Sequence, residues 1–358
     1  MSELTRRNFA LTGAAAAFAP MAAAKLAPLT PGMKISMQVD EKVTDDDLTW
    51  IKQMGVEWLN VQTGNGRGTL ENFQAIKKRV EAAGLKVWNI SNSDNRNIEE
   101  VTLNLPGREG KIEWLKQYIR DTGKAGIGYI TYAHMANGIW SSTSEPGRGG
   151  GMARAFKMET AKGYWNGKTY EGPLTHGRKY SKEELWDNYT YFIRQIAPVA
   201  EEAGVRIGIH PDDPPVPELG GIPRHIFGTF DGYMRALEIA NSPAIGVCLC
   251  CGTWMEGGKS TGKDVFEAAR AFAKIGKLWK IHFRNVTAPI PYFVETFIDN
   301  GYTDMYKLMK TLVDVDFRGN LIADHVPAMG SGSQTGWSYS MGYIKALHQA
   351  ALAERKKG

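Results

Sequence analysis

The chain has 358 residues, of which 43% are hydrophobic and 23% are charged, and its formal net charge is +5. This composition is typical of a globular protein that can bury a large core, and the length suits one large domain or two medium ones. Lysine and arginine are interspersed with acidic residues, so the sequence carries no basic footprint for binding nucleic acid.

The first 24 residues have the features of an export signal. Arg6 and Arg7 precede a weakly apolar run over residues 9–19, and alanines at 22–24 offer a cleavage site. The segment TRRNF resembles the twin-arginine signal, and the apolar run is too short to span a bilayer. We therefore predict a twin-arginine signal over residues 1–24, a periplasmic location and no membrane anchor. A disordered tail with a chance arginine pair is the alternative.

Eight short apolar segments follow, at residues 33–39, 56–63, 85–91, 128–134, 205–210, 244–251, 279–286 and 320–326. Nearly continuous hydrophobicity of this kind is typical of parallel strands buried on both faces. Helical patterns lie between them; one begins with a capping sequence at Thr44, and another begins at Ser181 and ends at Gly204. Residues 25–358 are therefore predicted to form a single α/β domain, a (β/α)8 TIM barrel. A doubly wound sheet is the main alternative, but no glycine-rich dinucleotide motif follows the first strand.

One connection is much longer than the others. Residues 135–180, after the fourth strand, are rich in glycine and have little helical periodicity. Long insertions of this kind are often lids or binding loops, and this one follows a strand end that faces the active side of a barrel. We predict a lid-like insertion; a peripheral or subunit-contact role is the alternative.

Four residues that can bind a metal end four successive strand segments: His210, Cys250, His282 and Asp324. Parallel strands of a barrel bring their carboxyl ends to one face, so these side chains are candidates for a shared divalent site. Two imidazoles, a thiolate and a carboxylate suit Mn, Fe, Co or Zn better than Mg or Ca. Each residue also has an ordinary structural explanation, as a core histidine, a buried cysteine or a helix cap.

Further polar residues lie close to these strand ends. Asp212 and Asp213 follow His210, and Arg284 follows His282 on the same strand face, which makes the three candidates for substrate binding. His325, next to Asp324, is a candidate general acid or base.

Several segments together resemble the mannonate dehydratase family, which belongs with the xylose-isomerase-like barrels. They appear in family order and cover most of the chain after the signal: NLPGR at 104–108, HPDDPP at 210–215, GIPR at 221–224, CCGT at 250–253, HFRNV at 282–286 and DH at 324–325. The resemblance implies that His210, Cys250, His282 and Asp324 are metal ligands, with Cys250 rather than Cys251 aligned. It implies proton transfer by His325 and by a C-terminal tyrosine, for which Tyr339 is our choice and Tyr343 the alternative.

The implied reaction is removal of water from a sugar acid such as D-mannonate, a step of carbohydrate metabolism that gives a 2-keto-3-deoxy acid. The chain would be a metal-dependent lyase, with Mn²⁺ or Fe²⁺ as the expected ion and Co²⁺ or Zn²⁺ as alternatives. Its expected partners are a small sugar acid and further copies of itself in a homo-oligomer. A sugar isomerase or epimerase is the alternative enzyme, and a non-catalytic sugar-acid-binding protein is a third reading.

The chain also departs from the family pattern. The family usually has Arg-Pro before the Asp-His pair of strand eight, where this chain has Ile322 and Ala323; Ile298 and Ser142 replace an expected histidine and arginine. Export is likewise unexpected, since mannonate breakdown is normally cytoplasmic. The resemblance therefore implies a retained metal site with altered substrate contacts, and either a different sugar acid or a different reaction.

Overall fold

The computed structural model describes residues 26–356, so the predicted export signal lies outside the described part of the chain. Eight parallel strands form the central sheet, and most of their residues are buried. They are β1 (Lys34–Asp40), β2 (Trp58–Thr63), β3 (Lys86–Asn92), β4 (Tyr129–Tyr132), β5 (Arg206–Ile209), β6 (Ile245–Cys250), β7 (Leu278–His282) and β8 (Asn320–Ile322).

The sheet is a nearly closed barrel. Its strand order is β3-β2-β1-β8-β7-β6-β5-β4, so each strand lies beside its neighbour in the chain. The first and last strands pair in parallel, with Lys34 opposite Asn320, while β3 and β4 lie side by side at the remaining seam. This sequential order confirms the predicted (β/α)8 barrel and excludes a doubly wound sheet, which would be open at both edges.

Strands β4, β7 and β8 end earlier than their apolar segments predict. After His282 the chain leaves the barrel sheet, and Phe283 and Val286, which lie beyond the end of β7, are nevertheless fully buried. Apolar patterning reports burial rather than hydrogen bonding to a neighbouring strand, which is why it overestimates these lengths.

Helices surround the barrel, and their ends follow the predicted signals. Thr44 and Ser181 each begin a helix with a capping box, and Gly204 ends the second of these with φ of 67°. Each cap stabilises its helix by about 1 kcal/mol. No helix within residues 26–356 is long and apolar enough to cross a membrane. The helices are α1 (Asp45–Gln53), α2 (Leu70–Ala82), α3 (Glu99–Thr102), α4 (Arg108–Lys124), α5 (Lys182–Ala203), α6 (Phe230–Ala240), α7 (Cys251–Gly257), α8 (Val265–Lys274), α9 (Met305–Asp314) and α10 (Ser333–Arg355).

The core lies between the barrel and its helices. All six residues of β6 are buried, and α9 contributes the fully buried Leu308 and Leu312. Burying each such side chain stabilises the fold by about 1.5–3 kcal/mol. The barrel is thus a packed scaffold that holds its strand ends in place.

The long connection over residues 135–180 contains short strands and one 3-10 turn. Ile139–Ser141, Lys162–Trp165 and Lys168–Tyr170 form an antiparallel sheet, while Ala155–Lys157 pairs with Tyr292–Thr296 from the loop after β7. The other short strands outside the barrel are Glu145–Pro146, Met152–Ala153, Glu218–Leu219, Ile222–Pro223 and Asn285–Val286, and the 3-10 turns are Ser93–Asn95, Arg148–Gly150 and Gly258–Thr261.

Glu99, at the start of α3, anchors the far end of this insertion. It accepts hydrogen bonds from Lys168 and, at 3.0 Å, from the Tyr170 hydroxyl, and it lies 3.2 Å from His176 Nε2. Although burial opposes its ionisation, the hydrogen bond with His176 leads the interactions that lower the pKa of Glu99 to about 2. The insertion is therefore tied to the barrel by an ionised carboxylate.

Candidate active site

The four strand-end residues lie at the same level of the barrel. His210 directly follows β5, Cys250 ends β6, His282 ends β7, and Asp324 lies two residues after β8. In the parallel ladder Cys250 is opposite His282, and His282 is opposite Ile322. This register is what brings residues more than 100 positions apart to one point, as the fold predicts.

The side chains of these four residues lie close together, and we call them the strand-end cluster. The ligand atoms of His210, Cys250 and His282 all lie within 4.8 Å of one another. Asp324 adjoins them, with Oδ1 3.3 Å from His282 Nδ1 and Oδ2 3.9 Å from Cys250 Sγ. Its backbone φ is +66°, a conformation that costs a non-glycine residue about 1–3 kcal/mol. The structure thus brings together all four residues predicted as metal ligands.

The donor atoms of this cluster fit a divalent ion. His210 Nδ1 lies 2.7 Å from the Pro211 carbonyl oxygen, a hydrogen bond that leaves the other ring nitrogen free to bind a metal. His282 Nδ1 is buried and has no hydrogen-bond partner, although it faces the Asp324 carboxylate. Nitrogen, sulfur and oxygen donors in one cluster suit a first-row transition metal.

Only one of the three neighbouring cysteines belongs to this cluster. Cys248 Sγ lies 3.4 Å from His282 Nε2, on the opposite side of that ring from Nδ1, and Cys251 Sγ lies 3.9 Å from the Leu249 carbonyl oxygen. All three are buried free thiols. The geometry therefore favours Cys250, as the resemblance implies.

Two members of the cluster, His210 and Asp324, are held in metal-binding protonation states, whereas burial of His282 is outweighed by Asp324 and Cys248, which raise its pKa. Burial, with the neighbouring His282, lowers the pKa of His210 to about 3, so its imidazole is neutral. Burial opposes ionisation of Asp324, but His282, His325 and Arg284 outweigh it and hold its pKa well below the usual range. A neutral imidazole and an ionised carboxylate are the forms that coordinate metals.

His325 lies at the edge of this cluster. Its Nδ1 is 2.8 Å from Glu295 Oε1 and its Nε2 is 3.8 Å from Asp324 Oδ2, while 40% of the side chain remains exposed. Burial disfavours its charge, but Asp324 and Glu295 outweigh this and raise the pKa of His325. A charged imidazolium beside a cavity can donate a proton to a bound molecule.

A buried group of carboxylates and arginines lies behind His325; we call it the acidic cluster. Four carboxylates surround Arg284, whose side chain is 1% exposed, at distances from 2.7 to 3.3 Å. Arg154, from the insertion, contacts three of the same carboxylates. The two guanidinium groups and the charged His325 imidazolium together offset most of the negative charge of these carboxylates. The carboxylates are those of Asp213, Glu256, Glu295 and Asp324.

The pKa values of the cluster reflect this crowding. Burial, followed by the charge of Asp213, raises the pKa of Glu256 to about 7. Burial of Glu295 is outweighed by His325 and Arg284, which lower its pKa to about 2. Sequence reasoning missed Glu256, Glu295 and Arg154. The available signal for the two glutamates was a lone acid within an apolar segment, WMEGG or YFVET, and no such signal marks Arg154.

Three predicted residues occupy other surroundings than expected. Arg284 does not line the main cavity, because its guanidinium is surrounded by the acidic cluster. Asp212 is buried, and its charge interacts with Arg224 rather than with the strand-end cluster; burial raises its pKa to about 6. Tyr339 does not line the cavity either, and its ring lies 6.0 Å from Phe297 and 6.3 Å from Tyr343. Roles for these three in substrate binding or proton transfer stay predictions.

A cavity of about 710 Å³ opens beside the strand-end cluster. His210, His282, Asp324 and His325 line it, as do Arg96 and Lys280. Residues from the insertion also contribute, including Arg154 and Trp165. The volume is that of a pocket for a small molecule, and the polar lining suits a hydroxylated one.

Comparison with known proteins identifies the family of this chain. The sequence profile of D-mannonate dehydratase (UxuA) matches residues 41–164 and 167–355. A mannonate dehydratase of Streptococcus suis (strain 05ZYH33) is 33% identical over 276 residues, covering 72% of this chain and 74% of the relative. Mannonate dehydratase 2 of Halalkalibacterium halodurans is 28% identical over 275 residues, covering 71% and 78%.

Solved structures give the same result. The crystal structure of mannonate dehydratase from Streptococcus suis serotype 2 has a TM-score of 0.79 and 30% identity, covering 91% of this chain and 95% of that one. A xylose isomerase domain protein from Planctomyces limnophilus has a TM-score of 0.60 at 14% identity, covering 90% and 99%, and shares the fold alone. On the profile match, the curated relatives and the close structural neighbour, the chain belongs to the D-mannonate dehydratase family.

Proposed function

We propose that this protein is a metal-dependent hydro-lyase that removes water from a sugar acid, D-mannonate or a related aldonate, to give a 2-keto-3-deoxy acid. The observation that carries the proposal is the meeting of His210, Cys250, His282 and Asp324 beside a polar cavity of about 710 Å³. Membership of the mannonate dehydratase family supports the same reaction.

The chemistry required by this reaction matches the residues at the cavity. A proton must leave C2 of the acid and the C3 hydroxyl must depart as water, after which the resulting enol becomes the 2-keto product. A divalent ion held by the four ligands would offset the negative charge that develops on the substrate's oxygen atoms. The two proton transfers are proposed for His325 and Tyr339. His325, kept charged by Asp324 and Glu295, would protonate the departing hydroxyl, and Tyr339 is the candidate to accept the C2 proton.

The metal is proposed to be Mn²⁺ or Fe²⁺, with Co²⁺ or Zn²⁺ as alternatives. Support comes from the mixed nitrogen, sulfur and oxygen donors, which exclude the all-oxygen coordination that Mg²⁺ and Ca²⁺ prefer. Metal analysis of protein purified without added chelator, followed by reconstitution with each ion, identifies the ion that restores the highest turnover.

A panel assay tests the reaction itself. The metal-loaded protein is incubated with aldonates and uronates, and 2-keto-3-deoxy product is measured by its periodate–thiobarbiturate colour and by NMR. We expect product from at least one aldonate and none after metal removal. Interconversion of ketoses without any dehydration of acids would replace the dehydratase with an isomerase.

The first 24 residues are proposed to direct export to the periplasm by the twin-arginine route. Support comes from Arg6 and Arg7 ahead of the apolar run. Fractionation of cells expressing the wild type and the Arg6→Lys/Arg7→Lys double variant tests this; equal periplasmic amounts of both would contradict it.

We also propose that the protein assembles as a homo-oligomer. Exposed apolar side chains on and beside the insertion support this, since Met152, Tyr164 and Tyr292 are 45%, 58% and 43% exposed. Light scattering at micromolar concentration gives the mass, and a strictly monomeric mass would contradict the proposal.

A further inference from the structure

Arg96 and Lys280 both line the cavity, and the charge of Asp324 acts on both from beyond ion-pair distance; we call them the cationic pair. Within residues 26–356, neither forms an ion pair with a carboxylate. A guanidinium NH2 group of Arg96 donates to the neutral Gln62 amide at 3.3 Å. The Lys280 ammonium donates to Asn89 Oδ1 at 2.9 Å and to Thr131 Oγ1 at 3.3 Å. Positive charges in a partly enclosed cavity, hydrogen-bonded only to neutral groups, favour the binding of an anion.

The other two arginines near the cavity lack this capacity. Arg284 is surrounded by four carboxylates, and Arg154 bonds to three of them and, at 3.0 Å, to the Trp140 carbonyl oxygen. A ligand carboxylate near either would be repelled by the acids already present. An anionic group is therefore best accommodated at the cationic pair.

The surroundings of Arg96 add further donors and a fixed orientation. Arg96 Nε and Asn97 Nδ2 are both buried without a hydrogen-bond partner, and both residues line the cavity. The guanidinium lies over the ring of Trp165 at 5.2 Å, and Trp165 Nε1 donates to the Ser93 carbonyl oxygen at 3.1 Å. Unsatisfied donors beside a stacked arginine match a planar acceptor group such as a carboxylate.

We propose that Arg96 and Lys280 bind the carboxylate of the sugar acid, so that the carbon chain extends from them toward His325 and the strand-end cluster. This inference deepens the proposed function and rests on it. Loss of the C2 proton places additional negative charge on the carboxylate, which becomes an enediolate, and the cationic pair stabilises that charge more than it stabilises the substrate. Arg96 therefore affects both binding and turnover.

Calorimetric titration of the metal-loaded protein separates the carboxylate from the rest of the ligand. D-mannonate is compared with D-mannitol, which keeps a six-carbon polyol chain without the carboxylate, and with D-mannose 6-phosphate, which carries a different anion. Arg96→Gln is expected to weaken D-mannonate binding by about 10- to 100-fold while leaving D-mannitol binding unchanged. Arg96→Lys is expected to restore part of the loss, and Lys280→Gln to show a smaller loss than Arg96→Gln.

Arg178→Gln is the matched control, since Arg178 also stacks on an aromatic ring, Tyr180, but lies outside the cavity. Unchanged metal content in each variant shows that the site is intact. The proposal is overturned if Arg96→Gln binds D-mannonate as the wild type does, if D-mannitol affinity falls equally, if the phosphate is preferred, or if the wild type binds none of the three. Binding that depends on Arg96 without turnover of any acid would instead contradict the proposed reaction and leave the carboxylate site standing.

Discussion

Arg154 and Arg284 each contact several carboxylates, whereas Arg96 and Lys280, within residues 26–356, form no ion pair with a carboxylate. Arg284 contacts four carboxylates and is 1% exposed, so its charge is used to hold protein groups in place. Arg96 has a neutral amide and an indole ring as neighbours. The comparison teaches that the position of an arginine beside a pocket does not reveal its role; its existing partners do.

The largest expected effect follows from removing the central cation of the acidic cluster. Arg284→Met removes the one cation that contacts Asp213, Glu256, Glu295 and Asp324 together, which should lower the free energy of unfolding by about 3–5 kcal/mol. Guanidinium chloride denaturation of the metal-free protein measures it. The matched variant Arg178→Gln, which removes a surface pair with Glu184, should cost less than about 1 kcal/mol. Equal stabilities for the two variants would contradict a stabilising role for Arg284 among the four carboxylates.

The second effect concerns the metal. Cys250→Ala removes one ligand from the strand-end cluster and should abolish stoichiometric metal binding, with turnover falling by about 100-fold or more. Cys251→Ala is the control, because that thiol faces the Leu249 carbonyl oxygen instead. Elemental analysis after gel filtration gives the metal content. Full retention of metal by Cys250→Ala, or equal loss in both variants, would contradict the ligand set.

The smallest effect concerns the anchor of the insertion. The pKa of Glu99 is lowered on folding to about 2, so its contribution is present above its unfolded value and is lost as the pH falls through about 2. The protection of amide hydrogens within residues 165–180, relative to their intrinsic exchange rate at each pH, should therefore be high at neutral pH and fall below about pH 4. Glu99→Gln should show low protection at every pH, at a cost of about 1 kcal/mol. If the protection of these amides in the wild type did not change with pH, Glu99 would not be the anchor of the insertion.

Sequence alone predicted the barrel and the meeting of its strand ends. Continuous apolar segments specify buried parallel strands, and a barrel leaves little freedom for where Cys250 and His282 can lie once β6 and β7 are paired. The helix starts at Thr44 and Ser181 could also be predicted, because capping depends on residues that are close together in the sequence.

The rest of the site depends on contacts that no local pattern encodes. Glu295 reaches the acidic cluster because its strand, Tyr292–Thr296, pairs with the insertion strand Ala155–Lys157. Tyr339 does not line the cavity; α10 is oriented so that the tyrosine ring lies 6.0 Å from that of Phe297. Asp212 and Asp213 are adjacent in sequence, yet Asp213 lines the cavity and Asp212 does not. Such partners are fixed by tertiary packing rather than by spacing.

The contacts of Arg154 with the barrel limit how the insertion can evolve. Loops above a barrel usually vary freely, because they can be exchanged without disturbing the scaffold beneath them. This insertion cannot be exchanged alone, since Arg154 lies among the acids that surround Arg284. Its replacement would have to arrive together with changes at Asp213, Glu256 or Glu295. An engineer who transplants residues 135–180 onto another barrel must therefore carry these three acids with them.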